Sequence, residues 1–192
     1  MPQHTVSREL LKTEIDNLPL YGYGVKSFTL SMIETAVRIS DGNIGANDVE
    51  RIIGFGRDLL QQPIDKLDGV EEVLKTLHGK YRLVMATKGD LLDQERKLRD
   101  SHLEKYFHHI EVMSEKKEQD FRKLIGHLDI QPEEFAMVGN SLKSDILPVL
   151  NLGGHGFHVP YHVTWTHETV DHHVEHPNLI QLEKLTGILE HL

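Results

Sequence analysis

The chain has 192 residues, of which 27% are charged and 39% hydrophobic, and its formal net charge is −9. A chain of this length can bury a hydrophobic core, as one domain or as a core with a small appendage. The acidic balance argues against nucleic acids and membrane surfaces as partners, because both favour basic proteins. The sequence has no cysteine and no apolar run near the about 20 residues of a membrane span. It therefore predicts a cytoplasmic protein.

The first third of the chain, residues 1 to about 65, is predicted to be helical because its apolar residues recur near the helical period. Ser7 is expected to cap a first helix that ends at Pro19. A second helix follows and stops at an Asp-Gly turn. Asn47 and Glu50 resemble a capping box that opens a third helix.

Beyond residue 65, helical and apolar strand-like segments alternate. We predict strands at residues 82–87, 110–113, 135–139, 156–159 and about 179–182. We predict helices around residues 70–78, 91–99, 118–128 and 146–150, and a last one at the end of the chain. This order predicts an α/β fold with a doubly wound parallel sheet.

Three of the predicted strands end in a polar loop: residues 84–90 (VMATKGD), 112–117 (VMSEKK) and 137–145 (MVGNSLKSD). An apolar run that ends in this way is typical of a buried parallel strand, which presents side chains at its carboxyl end. The sequence therefore predicts that these three loops gather at one edge of the sheet.

The first two loops carry groups that can hold phosphate. Thr87 supplies a hydroxyl, and the loop of Lys88 supplies backbone N–H groups before a helix. Taken alone, Thr87 is better explained as a residue that caps or ends the strand, because single threonines are common at strand ends. Lys116 offers a fixed positive charge. Lys117 is the alternative register. For a lysine pair taken alone, a solvated charge run is the favoured interpretation.

The third loop carries groups that can hold a metal ion. Asp145 offers a carboxylate and Asn140 a carbonyl oxygen, and Mg²⁺ prefers such hard oxygen ligands. The alternative is an Asn-Ser turn in which Asp145 only caps a helix. A string of seven specified residues is more specific than a lone side chain, so this loop is the most specific signal of the three.

In order and spacing, the three loops resemble the second, third and fourth motifs of the haloacid dehalogenase-like (HAD-like) hydrolases. The resemblance covers about residues 20–185. It implies a Rossmann-like α/β core, which we place at residues 66–192, and a partial helical cap, which we place at residues 1–65. It also implies Mg²⁺-dependent phosphatase chemistry on a small phosphorylated molecule.

The same resemblance assigns roles to individual residues. Thr87 and Lys116 become the catalytic residues. The phosphate-binding set is Thr87, Lys88, Lys116 and Asn140. The ligands of Mg²⁺ are Asp145 and Asn140.

The first motif of the family is absent. That motif is an Asp-x-Asp loop whose leading aspartate is the nucleophile, and no Asp-x-Asp occurs in the 192 residues. We therefore expect an N-terminally truncated member that does not turn over substrate as this chain alone. Two alternatives are a non-catalytic protein that binds a ligand or partner, and a fragment of a longer enzyme.

In this family the first-motif strand lies between the strands of the second and fourth motifs. Without it, the predicted strands at residues 82–87 and 135–139 each expose an edge, and open edges pair with other chains. The two strands could also close up, or the N-terminal segment could fill the gap. We expect association into a homo-oligomer through the exposed edge.

Seven histidines lie between residues 155 and 176. They are His155, His158, His162, His167, His172, His173 and His176. Imidazole suits zinc and nickel, so a metal site is conceivable. We favour a long polar loop beside the mouth of the active site.

Overall fold

The computed structural model describes residues 3–163, 165, 168, 170 and 173–192. The chain forms two compact units. The first unit comprises Met1–Asp65 and Lys88–His102, and the second comprises Lys66–Thr87 and Leu103–Leu192. The functional division into a cap at residues 1–65 and a core at residues 66–192 stays a prediction.

Helices and strands alternate after an all-helical beginning. The α-helices are α1 (Gln3–Tyr21), α2 (Val25–Ile39), α3 (Ala46–Gln61), α4 (Val70–Leu77), α5 (Leu91–Asp100), α6 (Glu118–Leu128) and α7 (Leu147–Asn151). The strands are β1 (Val84–Lys88), β2 (His109–Met113), β3 (Ala136–Gly139), β4 (His155–His158) and β5 (Leu179–Gln181). A short 3₁₀ helix at Leu185–Glu190 stands where a last helix was predicted. The predicted α/β fold class is confirmed.

The first helix is longer than the sequence predicts. Ser7 lies inside α1, where its hydroxyl donates to the carbonyl oxygen of Gln3 at 3.2 Å, so it is not the cap. Pro19 lies in the last turn and does not end the helix. Side chains on both sides of it, Asn17 and Tyr21, donate hydrogen bonds to Glu34 of α2. Packing against α2 therefore keeps this turn helical despite the bond that proline removes.

The third helix begins one residue before the predicted cap. Gly45 is the capping residue, and it makes no side-chain hydrogen bond. Asn47 therefore lies in the first turn of α3, and the predicted capping box with Glu50 is wrong. Glycine is an acceptable residue at this position, because the first N–H groups of a helix can bond to water.

The second unit holds the strands, arranged as two sheets. One sheet has the order β3-β4-β5, with parallel neighbours in which Met137 pairs with Gly156 and Phe157 with Ile180. The other sheet pairs β1 with β2. The N–H of His108 donates to the carbonyl oxygen of Leu83 at 2.8 Å, so these two strands begin side by side and run in the same direction.

The hydrophobic core of the second unit has two clusters. One cluster packs α6 against the sheets and includes Met113, Phe121, Leu124, Ile125, Leu128, Phe135, Met137 and Val149, with Val84 and Ala86 of β1 at its border. The other packs α4 and the C-terminal turn against β4 and β5. Phe121 and Leu124 are fully buried, and each such side chain contributes about 1.5–3 kcal/mol to stability.

No hydrogen-bonded ladder joins β1 to β3 within the described part of the chain. The two strands nevertheless contact one core cluster, through Val84 and Ala86 on one side and Met137 on the other. The described N-terminal segment is the helix α1 and supplies no strand to the gap. Association through the open edge stays a prediction. No helix among the described residues is long and apolar enough to cross a membrane.

Candidate active site

The predicted site lies at the carboxyl ends of the strands in the second unit. Thr87 is half-buried near the end of β1, and the chain reaches Lys116 three residues after β2 ends at Met113. Asn140 directly follows β3 and is exposed. Because β1 and β2 run in the same direction, Thr87 and the loop that bears Lys116 lie at the same edge of their sheet.

A buried ion pair joins the two sheets at this edge. The Nζ atom of Lys116 donates to Oδ1 of Asp145 at 2.7 Å. The two side chains are only 10% and 7% exposed. A buried charge is costly unless it is paired, so each of these residues stabilises the other.

The carboxylate of Asp145 lies directly against the end of β3. A Cβ atom built on Gly139 would lie 2.3 Å from Oδ2 of Asp145 and 2.6 Å from its Cβ. Only glycine leaves room for the carboxylate at this point. The backbone N–H of Ser141 also holds the carboxylate there, by donating to Oδ2 at 3.0 Å.

A π-helical turn connects the loop after β3 to the next α-helix. Leu142–Ile146 form a single π-helical turn, and α7 follows at once. Ser141 caps the turn, since its hydroxyl accepts the N–H of Ser144 at 3.0 Å. Pro148 lies in the first turn of α7, where its missing N–H breaks no helical hydrogen bond. The π turn places Asp145 at a level where its side chain reaches back to the strand end.

One histidine is tied to the same loop. Nε2 of His158, at the end of β4, lies 3.1 Å from the carbonyl oxygen of Asn140. A carbonyl only accepts hydrogen bonds, so Nε2 carries the proton. The other ring nitrogen, Nδ1, is buried and has no hydrogen-bond partner among the described residues.

The two lysines of the second loop have different surroundings. Lys117 is the capping residue of α6, is exposed and pairs with Glu115, whereas Lys116 is directed at Asp145. An open depression of about 460 Å³ lies beside them. It is lined by Lys116, Lys117, Glu118, Gln119, Lys143, Leu147, Pro148 and Asn151.

Lys88 belongs to the first unit. Its Nζ atom lies 4.2 Å from the centroid of the Tyr23 ring, a cation–π contact within that unit.

Among the predicted site residues of the second unit, the structure brings Lys116 and Asp145 together. Asn140 lies in the same loop as Asp145. Thr87 lies at the same strand edge as the loop of Lys116.

The donors available for Mg²⁺ are few but of the right kind. The carboxylate of Asp145 and the amide oxygen of Asn140 are hard ligands, and Mg²⁺ usually keeps several waters. Among the described residues, no three His, Asp or Glu side chains are grouped to hold a metal ion. These donors therefore fit a weak site, in which Mg²⁺ would compete with Lys116 for Asp145.

The histidine-rich segment yields no metal site in the part that is described. His167 and His172 lie outside the described residues. His173 lies 3.5 Å from Glu175, and both side chains are largely exposed. The sequence also gave no sign of Glu168, whose carboxylate accepts the hydroxyl of Ser141. A single Glu after a histidine has no distinctive spacing that could have revealed it.

Comparison with known protein families decides the classification. A family model described as haloacid dehalogenase-like hydrolase matches residues 15–153. The chain therefore belongs to the haloacid dehalogenase-like hydrolases. The matched residues include all three loops that the sequence analysis identified.

Two relatives of this HAD-like chain are phosphatases. The N-acylneuraminate-9-phosphatases of Mus musculus and Rattus norvegicus are each 33% identical to it over 91 residues. That match spans 45% of this chain and 37% of the length of each relative.

Solved structures agree with the fold. A haloacid dehalogenase-like hydrolase from Xanthomonas campestris is 40% identical, with a TM-score of 0.84, over 97% of this chain and 73% of that one. The HAD-hydrolase YfnB from Bacillus subtilis, solved bound to magnesium, has a TM-score of 0.68 over 99% of this chain and 83% of that one. At 15% identity it shows the fold alone.

Proposed function

We propose that this chain carries a phosphate and Mg²⁺ site for HAD-like phosphatase chemistry on a small phosphorylated molecule. The site comprises Thr87, Lys116, Asn140 and Asp145. The observation that carries the proposal is the buried pair of Lys116 and Asp145 at the carboxyl edge of both sheets. The N-acylneuraminate-9-phosphatase relatives support a phosphorylated substrate.

The buried ammonium of Lys116 is suited to phosphoryl transfer. Catalysis of this reaction depends almost entirely on positioning and on electrostatic stabilisation of the phosphoryl oxygens. A charge that water does not screen stabilises those oxygens strongly. In this proposal Lys116 faces the phosphoryl group, and the hydroxyl of Thr87 donates to it. Bound Mg²⁺ would supply further positive charge at Asp145.

The chain as it stands is proposed to bind without turning over. The family mechanism needs an aspartate that attacks phosphorus, and the 192 residues contain no Asp-x-Asp loop. Asp145 is not a substitute, because Lys116 and the N–H of Ser141 already engage both of its oxygens. The two hydrogen bonds of Asp145 also favour the alternative, which is a non-catalytic HAD-like binding protein.

Two measurements on the purified chain test the proposal together. Calorimetric titration with inorganic phosphate and with Mg²⁺ is expected to show weak binding of each. Assay with p-nitrophenyl phosphate and Mg²⁺ is expected to show turnover at least about 10⁴-fold below that of an intact phosphatase, because the covalent step is lost. Lys116→Met should weaken phosphate binding, and Asp145→Asn should weaken Mg²⁺ binding.

Lys123→Met is the matched control, because Lys123 is an exposed lysine of α6. It should leave both titrations unchanged. Submicromolar Mg²⁺ affinity that survives Asp145→Asn would mean that the metal site lies elsewhere. Robust turnover that both site variants abolish would show that the chain is an active enzyme and that the proposed inactivity is wrong.

A further inference from the structure

Glu168 reaches the loop of Asp145 from a distant part of the chain. It lies in the segment after β4, where its own N–H donates to the carbonyl oxygen of Trp165 at 2.7 Å. Its Oε2 atom accepts the hydroxyl of Ser141 at 2.6 Å and also the hydroxyl of Ser144. A carboxylate oxygen that accepts two hydroxyl hydrogen bonds fixes the direction of both, and such charge-assisted bonds are stronger than neutral ones.

The contacts continue from Glu168 to Asp145 through Ser141. With its proton committed to Glu168, the hydroxyl oxygen of Ser141 is left to accept the N–H of Ser144. The backbone N–H of Ser141 donates to Oδ2 of Asp145. Lys116 holds the other oxygen. The orientation of the Asp145 carboxylate therefore depends on a loop that Glu168 fastens at two points.

We infer that Glu168 is a positioning residue for Asp145, acting through the hydroxyls of Ser141 and Ser144. This inference rests on the proposed function of the site. Glu168 holds the π-helical turn in place, so that Asp145 stays between Lys116 and the end of β3. Groups that orient a ligand in this way affect metal affinity by about 10- to 100-fold when they are removed.

The test compares three variants of the full chain. Glu168→Ala removes both hydrogen bonds, whereas Glu168→Gln keeps a side-chain oxygen that accepts them. Glu175→Ala is the control, because Glu175 lies in the same segment but is largely exposed. The first readout is the ¹³C resonance of the Asp145 carboxyl group in the absence of any ligand. The second is the affinity for Mg²⁺ alone and for inorganic phosphate alone.

Glu168→Ala is expected to shift the Asp145 resonance and to weaken Mg²⁺ binding about 10-fold or more. Glu168→Gln should keep the Asp145 resonance and the Mg²⁺ affinity close to those of the natural chain. Glu175→Ala should change neither the resonance nor the affinity. An unchanged Asp145 resonance in Glu168→Ala would overturn the inference. Equal losses in the Ala and Gln variants would also overturn it, because the hydrogen bonds would then not be the cause. If the natural chain binds neither probe, the proposed function fails, while the resonance still decides the role of Glu168.

Discussion

Lys26 and Asp90 form an ion pair within the first unit. The Nζ atom of Lys26 lies 2.9 Å from Oδ2 of Asp90. Asp90 also caps α5, since its other oxygen accepts the N–H of Asp93 at 3.2 Å. The hydrogen bond from Lys26 is the main reason that the pKa of Asp90 is below its ordinary value, and the bond from Asp93 acts in the same direction.

The lowered pKa of Asp90 predicts a stability effect with a definite sign. A carboxyl whose pKa is lower in the folded state adds stability above its unfolded pKa, near 3.8, and this stability is lost as pH falls through the folded pKa. Lys26→Met should therefore raise the pKa of Asp90. The variant should also lose about 0.2–1 kcal/mol of unfolding free energy near neutral pH, the usual contribution of a partly exposed ion pair. The difference in stability between the natural chain and the variant should shrink below pH 3.8. Carboxyl ¹³C titration and urea unfolding at several pH values would measure it.

Lys66→Met provides the control for this prediction. Lys66 donates to Glu71 at 3.0 Å in the second unit, and this bond lowers the pKa of Glu71. The control variant should move the titration of Glu71 and leave that of Asp90 unchanged. An Asp90 titration that is the same with and without Lys26 would mean that the ion pair is not formed in solution.

At the level of elements, the end of β3 and the π-helical turn after it form the seat of Asp145. Gly139→Ala would place a methyl group where the Asp145 carboxylate now lies. We expect this variant to lose about 1–3 kcal/mol of stability, the common cost of overpacking, and to lose Mg²⁺ binding. Urea unfolding and Mg²⁺ titration would measure the two effects.

Gly126→Ala is a matched control in the same unit. A Cβ atom at Gly126, inside α6, would meet no atom within 4 Å. Alanine should therefore stabilise the helix by roughly 0.5–1 kcal/mol and leave Mg²⁺ binding unchanged. If both glycine variants stabilise the unit, Asp145 does not occupy the position described against β3.

The sequence predicted the second unit better than the first. Helix α6 has the bounds that its pattern predicts, and the five strands lie within about two residues of their predicted places. In α1, by contrast, Pro19 and Ser7 gave false boundaries. Ser7 bonds within its own helix, whereas bonds from Asn17 and Tyr21 to α2 hold the turn around Pro19. Local signals determine an element only where tertiary contacts agree with them.

The candidate site shows the same limit. Strand ends and loop composition predicted that Lys116 and Asp145 would share one edge, because parallel strands present their carboxyl ends together. The π-helical turn and the contact between Gly139 and Asp145 depend on exact backbone positions, which no residue pattern reveals. Glu168 lies 24 and 27 positions along the chain from its partners Ser144 and Ser141, and no local residue pattern predicts contacts over that distance.

At the level of the whole molecule, the division of the sheet into two parts has a physical consequence. Strands β1 and β3 border the same hydrophobic cluster but share no ladder within the described residues. Each thus has an edge whose N–H and C=O groups are not bonded to the other strand. Open sheet edges are templates for strands of other molecules.

We therefore expect the chain to associate in solution through these edges. Multi-angle light scattering should show a dimer or a larger oligomer. Ala136→Lys, on an exposed position of β3, should shift the population towards monomer, because charged residues on edge strands oppose pairing. Ala46→Lys, at the exposed start of α3, should leave the mass unchanged. A monodisperse monomer that melts cooperatively would contradict association through these edges.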